Sequence, residues 1–581
     1  MAIPEQLRRD AEAWTRDDPD PETRAEIARL LEEEDGDGLS ERFAGSLEFG
    51  TAGLRGLLGA GPNRMNRKVV LRATAGLCAH LLETCEDARA RGVCIGFDGR
   101  RMSRELARDA ASVAAGMGLK VRAFDRVTPT PLVAFACLRT EAAAGIVVTA
   151  SHNPPEYNGY KVYWGNGAQI VPPVDAGIAA AIEAVGDVDD IARADFDEAV
   201  RDGRIELLGD ALEAAYLEGV RALQVHPGLP RDVSIAYTAM HGVGERFVME
   251  ALRQAGFTRV HSVPEQAEPD GSFPTVSFPN PEEDGAMDLV LALAEEERAD
   301  VVFANDPDAD RLAVAVRDTD GAYVQLTGNE VGSLLGHYLL DQGPAGDARL
   351  VVNTIVSSPM LGAIAAAHGA RWEQTLTGFK WIANRAMALE AEEDARFVFG
   401  YEEALGYTVG QLVRDKDGIG TAVVVADMAA WCRSRGKTLI DELEEAWRRY
   451  GMYLSRQVSR VHPGTEGAEK IAAVMARVRE APPSSVGERA VEAFTDLSSG
   501  VRRGAGGVTT SPLPRGDVLS LELEGGHRVM LRPSGTEPKI KLYLDVRVDM
   551  GGGETVAAAK ARGEAVLDAL EGWVDEVAPA G

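Results

Sequence analysis

The chain has 581 residues, a formal net charge of −30 at pH 7, and 45% hydrophobic and 26% charged residues. This length exceeds what one hydrophobic core usually supports, so we expect several domains with the composition of an ordinary soluble protein. The strong negative charge argues against a nucleic-acid-binding protein, because phosphate backbones demand a basic surface. An anionic ligand would therefore need a locally cationic site within a globally acidic chain.

Cysteine usage and apolar runs indicate the compartment. The five cysteines are scattered, odd in number and without metal-ligand spacing, which is typical of reduced thiols in a cytoplasmic protein. The N-terminus has no apolar signal core, and no uninterrupted apolar run reaches the ~20 residues of a membrane helix. We therefore expect a cytoplasmic protein with neither a membrane nor a nucleic-acid partner.

The predicted elements begin with a charged, helix-like stretch from residue 4 to about residue 34. From residue 49 onward, β-type runs such as RGVCIGF, GIVVTA, ADVVFAN and ARFVFGY alternate with alanine-rich helical segments. This alternation predicts α/β domains with mainly parallel sheets. After residue 452, a long helix, β-rich sequence and a last helix indicate a separate α+β domain. The predicted domains are 1–210, 211–325, 326–455 and 456–581.

The first loop that can carry chemistry is T-A-S-H-N-P at residues 149–154, after the run GIVVTA. In open α/β sheets ligands bind at the carboxyl ends of strands, so Ser151 is well placed to meet a substrate. The loop does not match the G-x-S-x-G elbow of serine hydrolases. A Ser/Asn-Pro turn without chemistry is the alternative interpretation. His152 follows the serine directly, and Lys161 comes ten residues after it.

The second loop is D-P-D-A-D-R at residues 306–311, after the run ADVVFAN. Its three alternating carboxylates can converge on one hard cation, and Mg²⁺ favours such oxygen ligands together with phosphate oxygens. An EF-hand calcium loop is excluded, because its sixth and twelfth positions hold Arg311 and Arg317. A solvated acidic turn is the alternative, although the adjoining Arg311 favours a site shared with a phosphate.

Two further loops lie in the second half of the chain. G-Y-E-E-A-L-G at residues 400–406 carries two adjacent carboxylates that can accept hydrogen bonds from vicinal sugar hydroxyls. R-P-S-G-T-E-P-K at residues 532–539 combines arginine, hydroxyl side chains and glycine-exposed N–H groups in an anion cradle. Each is compatible with a simple turn when taken alone. Together the four loops predict a nucleophile, a metal trio, a hydroxyl-binding loop and a phosphate grip.

These motifs, in this order, resemble the α-D-phosphohexomutase superfamily, which includes phosphoglucomutases and phosphomannomutases. The resemblance runs from residue 49 to about residue 544, and G-T-A-G-L-R-G at 50–56 and D-G-R at 98–100 agree with it. It implies an α/β fold of four domains around a central cleft: three related α/β domains with mixed sheets and a smaller C-terminal α+β domain. T-G-F-K at 377–380 resembles the branch with phosphoglucomutase-2-type enzymes, phosphopentomutases and glucose-1,6-bisphosphate synthases.

The resemblance also implies roles for individual residues. Ser151 is expected to carry the phosphoryl group and to complete a Mg²⁺ site formed by Asp306, Asp308 and Asp310. Arg55 and Arg311 resemble the arginines near the transferring phosphate. The candidate residues for proton transfer are, in order of preference, Lys380, Lys161 and His152. The expected substrate contacts are Thr377, Gly378, Glu402, Ala404, Arg532, Ser534, Gly535 and Thr536.

The expected reaction interconverts glucose 1-phosphate and glucose 6-phosphate through a phosphoserine and a bisphosphorylated sugar, with glucose 1,6-bisphosphate as activator. Many members of the superfamily have serine two residues after the sugar-binding glutamate, where this chain has Ala404, so mannose and ribose phosphates stay open as substrates. The competing functions are those of a glucose-1,6-bisphosphate synthase, a metal-dependent phosphatase and a non-catalytic sensor. A sensor would be expected to lack Ser151 or one of the aspartates, and all are present. A monomer or a small homo-oligomer is expected.

Overall fold

The structure is a computed structural model that describes residues 3–50, 53–318, 320–462, 465–534 and 539–579, with the backbone alone at residues 465 and 466. It divides into two compact units. Unit 1 comprises Met1–Gln325 and Gly406–Ser434, and unit 2 comprises Leu326–Leu405 and Arg435–Gly581. The chain therefore leaves unit 1, returns to it for one segment, and then completes unit 2.

Helices occur along the whole described chain. In chain order they are α1 (Glu5–Arg16), α2 (Pro21–Glu32), α3 (Gly36–Phe43), α4 (Arg67–Thr84), α5 (Ala88–Arg91), α6 (Ser103–Gly116), α7 (Thr130–Arg139), α8 (Val174–Glu183), α9 (Phe196–Arg201), α10 (Asp210–Arg221), α11 (Glu245–Gln254), α12 (Asp288–Glu297), α13 (Gly328–Gln342), α14 (Met360–Ala367), α15 (Phe379–Glu392), α16 (Gly418–Ser434), α17 (Leu439–Tyr450), α18 (Thr465–Glu480) and α19 (Val556–Val577).

Strands alternate with these helices until residue 450 and dominate after it. They are β1 (Leu54–Leu57), β2 (Val93–Phe97), β3 (Val121–Phe124), β4 (Ala144–Val148), β5 (Tyr157–Trp164), β6 (Ile205–Leu208), β7 (Ser234–Thr238), β8 (Arg259–Ser262), β9 (Val301–Ala304), β10 (Ala313–Arg317), β11 (Tyr323–Leu326), β12 (Arg349–Thr354), β13 (Arg371–Thr375), β14 (Arg396–Glu402), β15 (Gly406–Val409), β16 (Met452–Val461), β17 (Ser485–Val486), β18 (Arg489–Asp496), β19 (Val501–Gly504), β20 (Gly507–Thr510), β21 (Leu519–Leu523), β22 (His527–Pro533) and β23 (Lys539–Val548).

Unit 1 contains two mainly parallel sheets. The first has the order β1-β5-β4-β2-β3-β6, with β2, β3, β4 and β6 parallel and with β1 and β5 antiparallel to their neighbours. The second has the order β11-β10-β9-β7-β8, with β7, β8 and β9 parallel. Every residue of β2, β4, β7 and β9 is buried, as expected for parallel strands covered on both faces. The loops that follow β4 and β9 carry the predicted nucleophile and the predicted metal trio.

The N-terminal stretch predicted as helix-like forms two short helices, α1 and α2, and α3 follows it. Helix α1 ends at Arg16 and α2 begins at Pro21, because proline in a helix interior removes a hydrogen bond and disfavours the helical conformation of the preceding residue. Asp20 caps α2 by accepting a 2.9 Å hydrogen bond from the N–H of Glu22. A small core that includes Trp14 and Ile27 holds the three helices together.

Helix α16 comes from the segment of the chain that returns to unit 1. It is buried at every residue from Gly418 to Cys432, as expected for a helix that is apolar all round. It packs against α10, α11 and β9, so it completes the core of unit 1. Even so, no helix among the described residues is long and apolar enough to span a membrane.

Unit 2 begins with a parallel sheet and ends with an antiparallel one. Strand β12 lies between β13 and β14 and is parallel to both. The C-terminal sheet has the order β16-β23-β22-β21-β18-β19-β20, and α19 packs against β16 and β23. This change from α/β to α+β architecture is the one that the sequence predicts after residue 452.

A histidine–tyrosine network packs helices α13 and α17 of unit 2. His337 Nε2 lies 3.2 Å from Glu442 Oε1, and His337 Nδ1 lies 3.1 Å from the hydroxyl of Tyr450. The same hydroxyl lies 2.9 Å from His368 Nε2. Asp341 completes a group of metal-ligand types whose atoms lie within 4.8 Å of one another. Because both ring nitrogens of His337 and Nε2 of His368 already have protein partners, helix packing accounts for this network.

Candidate active site

Ser151 lies in the loop after β4 and contacts the loop after β9. Its Oγ donates a hydrogen bond to Asp306 Oδ2 at 2.8 Å and lies 3.2 Å from His152 Nδ1. Ser151 adopts φ = 52°, in the left-handed region, and its N–H donates to Thr149 Oγ1 at 2.9 Å. A non-glycine residue in this region costs of order 1–3 kcal/mol, so the contacts of the loop must hold it there. The predicted nucleophile is therefore fixed against the predicted metal loop.

Arg100 holds the backbone of the Ser151 loop. Its guanidinium donates to the carbonyl of Ser151 at 2.6 Å and to that of Pro154 at 2.8 Å. It also lies over the ring of Phe273, 4.9 Å from the centroid, and its Nε is 3.4 Å from Asp98 Oδ2. Sequence reasoning assigns no role to Arg100. An arginine that binds backbone carbonyls about fifty residues away produces no sequence pattern that could reveal those partners.

The carboxylates of Asp306, Asp308 and Asp310 converge in the loop after β9. One oxygen from each lies within 4.8 Å of the others, and all three residues are fully buried. Asp308 Oδ1 and Asp310 Oδ1 are buried without a hydrogen-bond donor among the described residues. Buried carboxylate oxygens without partners are costly. Their chemistry fits a divalent cation that takes oxygen ligands, such as Mg²⁺.

Three cationic side chains lie against these carboxylates. Lys161 Nζ is 2.7 Å from Asp308 Oδ2 and 3.0 Å from Asp310 Oδ2, and Lys416 Nζ is 3.1 Å from Asp310 Oδ2. Arg311 Nε is 3.8 Å from Asp310 Oδ1. Burial acts to raise the pKa of Asp308, but the charge of Lys161 outweighs it and holds that pKa below its ordinary value. These three cations thus balance the three carboxylates of the loop within an otherwise acidic protein.

Lys416 is a site residue that sequence reasoning misses. It lies in the segment R-D-K-D-G at residues 414–418, which belongs to unit 1. Its neighbour Asp415 accepts hydrogen bonds from the hydroxyl of Tyr163 at 2.5 Å and from Gln169 Nε2 at 2.8 Å. The scarcity of lysine in this acidic chain is the signal that could have drawn attention to residue 416.

Arg55 lies beside the nucleophile loop, and His152 belongs to that loop. Arg55, on β1, donates from Nη1 to Asn153 Oδ1 at 3.0 Å. The ring of His152 is tilted against Phe278, with 6.5 Å between the centroids. Burial and the charge of Arg311 lower the pKa of His152 well below its ordinary value, so this ring is neutral at pH 7.

In unit 2, the T-G-F-K and E-E-A-L-G loops meet at Glu402. Gly378 adopts φ = 117°, which favours glycine, and its N–H donates to Glu402 Oε1 at 2.8 Å. Lys380 lies in the first turn of α15, two residues after Gly378. Thr377 Oγ1 is buried without a hydrogen-bond partner among the described residues. Ala404 lies in the turn after β14.

The predicted phosphate grip is described only in part. Arg532 is on β22, and Ser534 directly follows that strand. The N–H of Ser534 donates to the carbonyl of Lys539 at 2.7 Å. Gly535 and Thr536 lie outside the described residues.

The structure thus brings the predicted residues together in two groups. The group in unit 1 comprises Arg55, Ser151, His152, Lys161, Asp306, Asp308, Asp310 and Arg311. In unit 2 the bond from Gly378 to Glu402 joins the segment of Thr377, Gly378 and Lys380 to the segment of Glu402 and Ala404.

One protein family matches three successive parts of the chain. Residues 46–188 match "Phosphoglucomutase/phosphomannomutase, alpha/beta/alpha domain I", residues 214–321 match domain II, and residues 327–450 match domain III. With the antiparallel C-terminal sheet, these matches confirm the predicted fold class of three related α/β domains and a C-terminal α+β domain. The boundaries near residues 210, 325 and 455 stay predictions.

Curated relatives match the chain over most of its length. A Haemophilus influenzae protein named "Probable phosphomannomutase" is 42% identical over 490 residues, which cover 83% of this chain and 93% of the relative. A Homo sapiens protein named "Phosphopentomutase" is 35% identical and covers 97% of both chains. A Homo sapiens protein named "Glucose 1,6-bisphosphate synthase" is 35% identical and covers 92% of this chain and 89% of the relative.

A solved structure shares the fold. The open form of pp63/parafusin, a phosphoglucomutase from Paramecium, matches 92% of this chain and 96% of its own with a TM-score of 0.69. The identity is 17%, so this likeness supports the fold alone.

Proposed function

This chain belongs to the phosphoglucomutase/phosphomannomutase family of isomerases, and on that premise we propose that it interconverts glucose 1-phosphate and glucose 6-phosphate. The observation that carries the proposal is the contact of Ser151 Oγ with Asp306, beside carboxylate oxygens that lack a donor among the described residues. A hydroxyl in this position is suited to carry a phosphoryl group whose oxygen joins the metal ligands.

In the proposed cycle, Ser151 donates its phosphoryl group to a sugar hydroxyl and later receives the other phosphoryl group of the bisphosphate. The three aspartates of the D-P-D-A-D-R loop would hold Mg²⁺, which when bound supplies positive charge beside the transferring group. Arg55 and Arg311 would add to that charge. Catalysis then depends mainly on positioning and electrostatics. Added glucose 1,6-bisphosphate would activate the enzyme by phosphorylating Ser151.

Lys380 is the proposed base for the incoming hydroxyl. It lies next to Gly378, which binds the proposed sugar-hydroxyl acceptor Glu402. Burial acts to lower the pKa of Lys161, but the charges of Asp308 and Asp310 raise this pKa above its ordinary value. Lys161 is therefore better suited to act as a cation than as a base. His152 contacts the serine itself and remains the third candidate.

The phosphate that is not transferred would bind at the end of β22. Arg532 offers a planar fork of donors for it, and Ser534 offers a hydroxyl. Gly535 and Thr536 belong to the same proposed clamp. Glu402 would accept hydrogen bonds from the sugar ring, oriented by the N–H of Gly378.

A second candidate is the interconversion of ribose 1-phosphate and ribose 5-phosphate. The phosphopentomutase relative supports it, because its match spans nearly all of both chains. Ala404 also supports it, since the missing hydroxyl removes one contact to a hexose. Phosphomannomutase activity and glucose-1,6-bisphosphate synthase activity are further candidates, because two relatives of the chain are named for these activities.

A substrate panel tests these candidates. We would measure kcat/KM with Mg²⁺ and catalytic glucose 1,6-bisphosphate for glucose 1-phosphate, mannose 1-phosphate and ribose 1-phosphate. The highest value for glucose 1-phosphate is expected, and the highest value for ribose 1-phosphate would establish the second candidate. Net release of inorganic phosphate without isomerisation would indicate a phosphatase. Accumulation of bisphosphate from an outside donor would indicate a synthase.

Loss of the hydrogen bonds from the Arg100 guanidinium to the Ser151 loop is expected to slow turnover. Arg100→Lys should lower kcat about 10–100-fold, because an ammonium group cannot hold several carbonyls of the Ser151 loop at once and small misplacements of a reacting group are costly. Arg104→Lys is the matched control, since Arg104 is exposed and lies over Phe97 instead. A kcat unchanged by Arg100→Lys, in protein with a native circular dichroism spectrum, would contradict the role of Arg100.

The buried hydroxyl of Thr377 offers a prediction about the sugar-binding loop. Thr377→Val keeps the shape of the side chain and removes the hydroxyl, so KM for the phosphosugar should rise about tenfold if that hydroxyl binds substrate. The melting temperature should not fall, since no hydrogen bond of the described protein is lost. An unchanged KM with a raised melting temperature would show that the hydroxyl has no ligand. Initial-rate kinetics would measure KM, and differential scanning fluorimetry would measure the melting temperature.

A further inference from the structure

The second glutamate of the E-E-A-L-G loop is bound to protein. Glu403 Oε2 accepts hydrogen bonds from Ser357 Oγ at 3.0 Å and from Thr354 Oγ1 at 3.1 Å. The N–H of Glu403 donates to the same Ser357 Oγ at 3.1 Å. A Cβ on Gly328 would lie 1.8 Å from the carbonyl oxygen of Glu403, so α13 also presses closely on this residue. Of the two adjacent carboxylates, Glu403 therefore holds the loop, and Glu402 keeps the proposed contact with the sugar.

Ser357 is in turn held by the C-terminal sheet. Its carbonyl accepts a hydrogen bond from Arg528 Nη2 at 2.9 Å. Arg528 is bound by Asp545 Oδ2 through Nε at 2.9 Å and Nη2 at 2.6 Å, and Asp545 Oδ1 accepts from Ser455 Oγ at 2.7 Å. The side chains of Arg528 and Asp545 are only 12% and 2% exposed. Charge-assisted, buried hydrogen bonds of this kind are among the strong ones.

The strand that carries Arg528 also carries the proposed phosphate clamp. Residues 528, 530 and 532 of β22 share one face, because side chains of a strand alternate with a period of two. Met530 packs in a buried cluster with Ile355 and Val356, which directly precede Ser357. Arg532 therefore projects from the face of the sheet that packs on the segment before Ser357.

Tyr543 lies at the same junction. It belongs to the cluster of Met530 and pairs with that residue across the β22–β23 ladder. Burial and the charge of Glu403 raise the pKa of Tyr543 to about 12, and Arg532 acts in the opposite direction. The buried Tyr543 is therefore near enough to the sugar-binding loop and to the phosphate-binding strand for the charges of both to act on its hydroxyl.

We propose that Glu403, Ser357, Arg528 and Asp545 form a brace that fixes the sugar-binding loop to the phosphate-binding strand. The brace rests on the proposed function, because it assigns Glu402 and Arg532 to one substrate. Its members are positioning residues: none need touch the sugar. Phosphate bound at Arg532 reduces the mobility of β22. Through the brace, it also reduces the mobility of the loop that holds Glu402. Binding of the distal phosphate therefore prepares the site for the sugar ring.

Hydrogen–deuterium exchange with inorganic phosphate tests the brace without requiring catalysis. In the wild-type chain, phosphate should slow exchange of the peptide that contains residues 400–406 and of the peptide that contains residues 532–539. In Ser357→Ala and in Arg528→Lys, protection of residues 532–539 should persist, while protection of residues 400–406 should fall at least about fivefold. Equal protection of residues 400–406 in the variants and the wild type would overturn the brace. So would a wild type in which phosphate protects residues 532–539 alone.

Kinetics on the substrate selected by the panel supply the second readout. Each single variant should raise KM about tenfold, and the double variant should be no worse than the worse single, because both changes break the same connection. Losses that multiply in the double variant would overturn the brace. A wild type without isomerase activity would instead refute the proposed function, and the exchange experiment would still decide on the brace.

Two variants guard against a trivial loss of structure. Ser357→Ala keeps the ion pair of Arg528 with Asp545, so it tests the brace even if Arg528→Lys destabilises the sheet. Arg502→Lys is the control for arginine: Arg502 binds Glu522 through Nε at 3.2 Å and Nη2 at 2.7 Å in the same sheet. We expect Arg502→Lys to show wild-type protection of residues 400–406.

Discussion

Replacing Ser151 with alanine is expected to lower mutase turnover by about 10⁴-fold or more, because the residue that carries the phosphoryl group in the proposed cycle is removed. The fold should stay intact. Alanine has the same conformational penalty as serine at φ = 52°, and the N–H of residue 151 keeps its bond to Thr149. The loss should appear in kcat with every substrate of the panel.

Mass spectrometry makes this experiment decisive. Incubation with glucose 1,6-bisphosphate should add one phosphate to the peptide that contains Ser151 in the wild-type chain and none in Ser151→Ala. Ser262→Ala is a suitable control, since Ser262 is a remote hydroxyl of unit 1 that donates to Glu245. Near-normal turnover of the Ser151→Ala variant would refute a covalent mechanism through this serine.

Replacing Asp308 with asparagine should have the second-largest effect. The change removes one charge from the proposed metal site, and the loss of about 4 kcal/mol of transition-state stabilisation corresponds to about a 10³-fold lower kcat/KM. Binding of Mn²⁺, used as a spectroscopic substitute for Mg²⁺ and followed by electron paramagnetic resonance, should weaken in parallel.

The control for this experiment is Asp232→Asn. Asp232 is an exposed carboxylate of unit 1 that pairs with Arg259 and Arg433, so its loss should change neither Mn²⁺ binding nor turnover. If Asp308→Asn bound Mn²⁺ as the wild type does and kept its dependence on Mg²⁺, the metal would have to lie elsewhere. Thermal melting would separate this outcome from a loss of folded protein, because Asp308 also accepts from Thr130 at 2.6 Å.

The positions of Ser151 and Asp306 in candidate ligand-binding loops could be anticipated from sequence. Each residue follows a buried apolar strand, and the carboxyl ends of parallel strands are where open α/β sheets place their ligand loops. The convergence of three alternating aspartates could be anticipated for the same reason, together with the preference of Mg²⁺ for oxygen ligands. That the two loops meet was implied by the family resemblance alone, because β4 and β9 belong to different sheets and strand periodicity does not say which loops of separate sheets contact each other.

Partners that depend on tertiary packing could not be found in this way. Lys416 lies more than a hundred residues from Asp310, and Arg100 binds carbonyls, which have no sequence signature. The family resemblance singles out Glu402 of the E-E-A-L-G loop, but the role of Glu403 becomes visible only in the structure, where the hydroxyls of Thr354 and Ser357 bind it. Such distinctions arise only when side chains from different elements meet.

The return of the chain to unit 1 has a consequence for biosynthesis. Helix α16 packs on α11, whose buried residues include Phe247 and Leu252, yet the ribosome makes α16 only after it has made residues 326–405. At about 5–20 residues per second, adding residues 326–434 takes roughly 5–20 s. During this interval the apolar surface of α11 that α16 covers in the complete protein stays exposed. Lys416 is likewise not yet in contact with Asp310. Unit 1, which bears the nucleophile, is therefore expected to complete its folding late and to need chaperone protection while the chain is being translated.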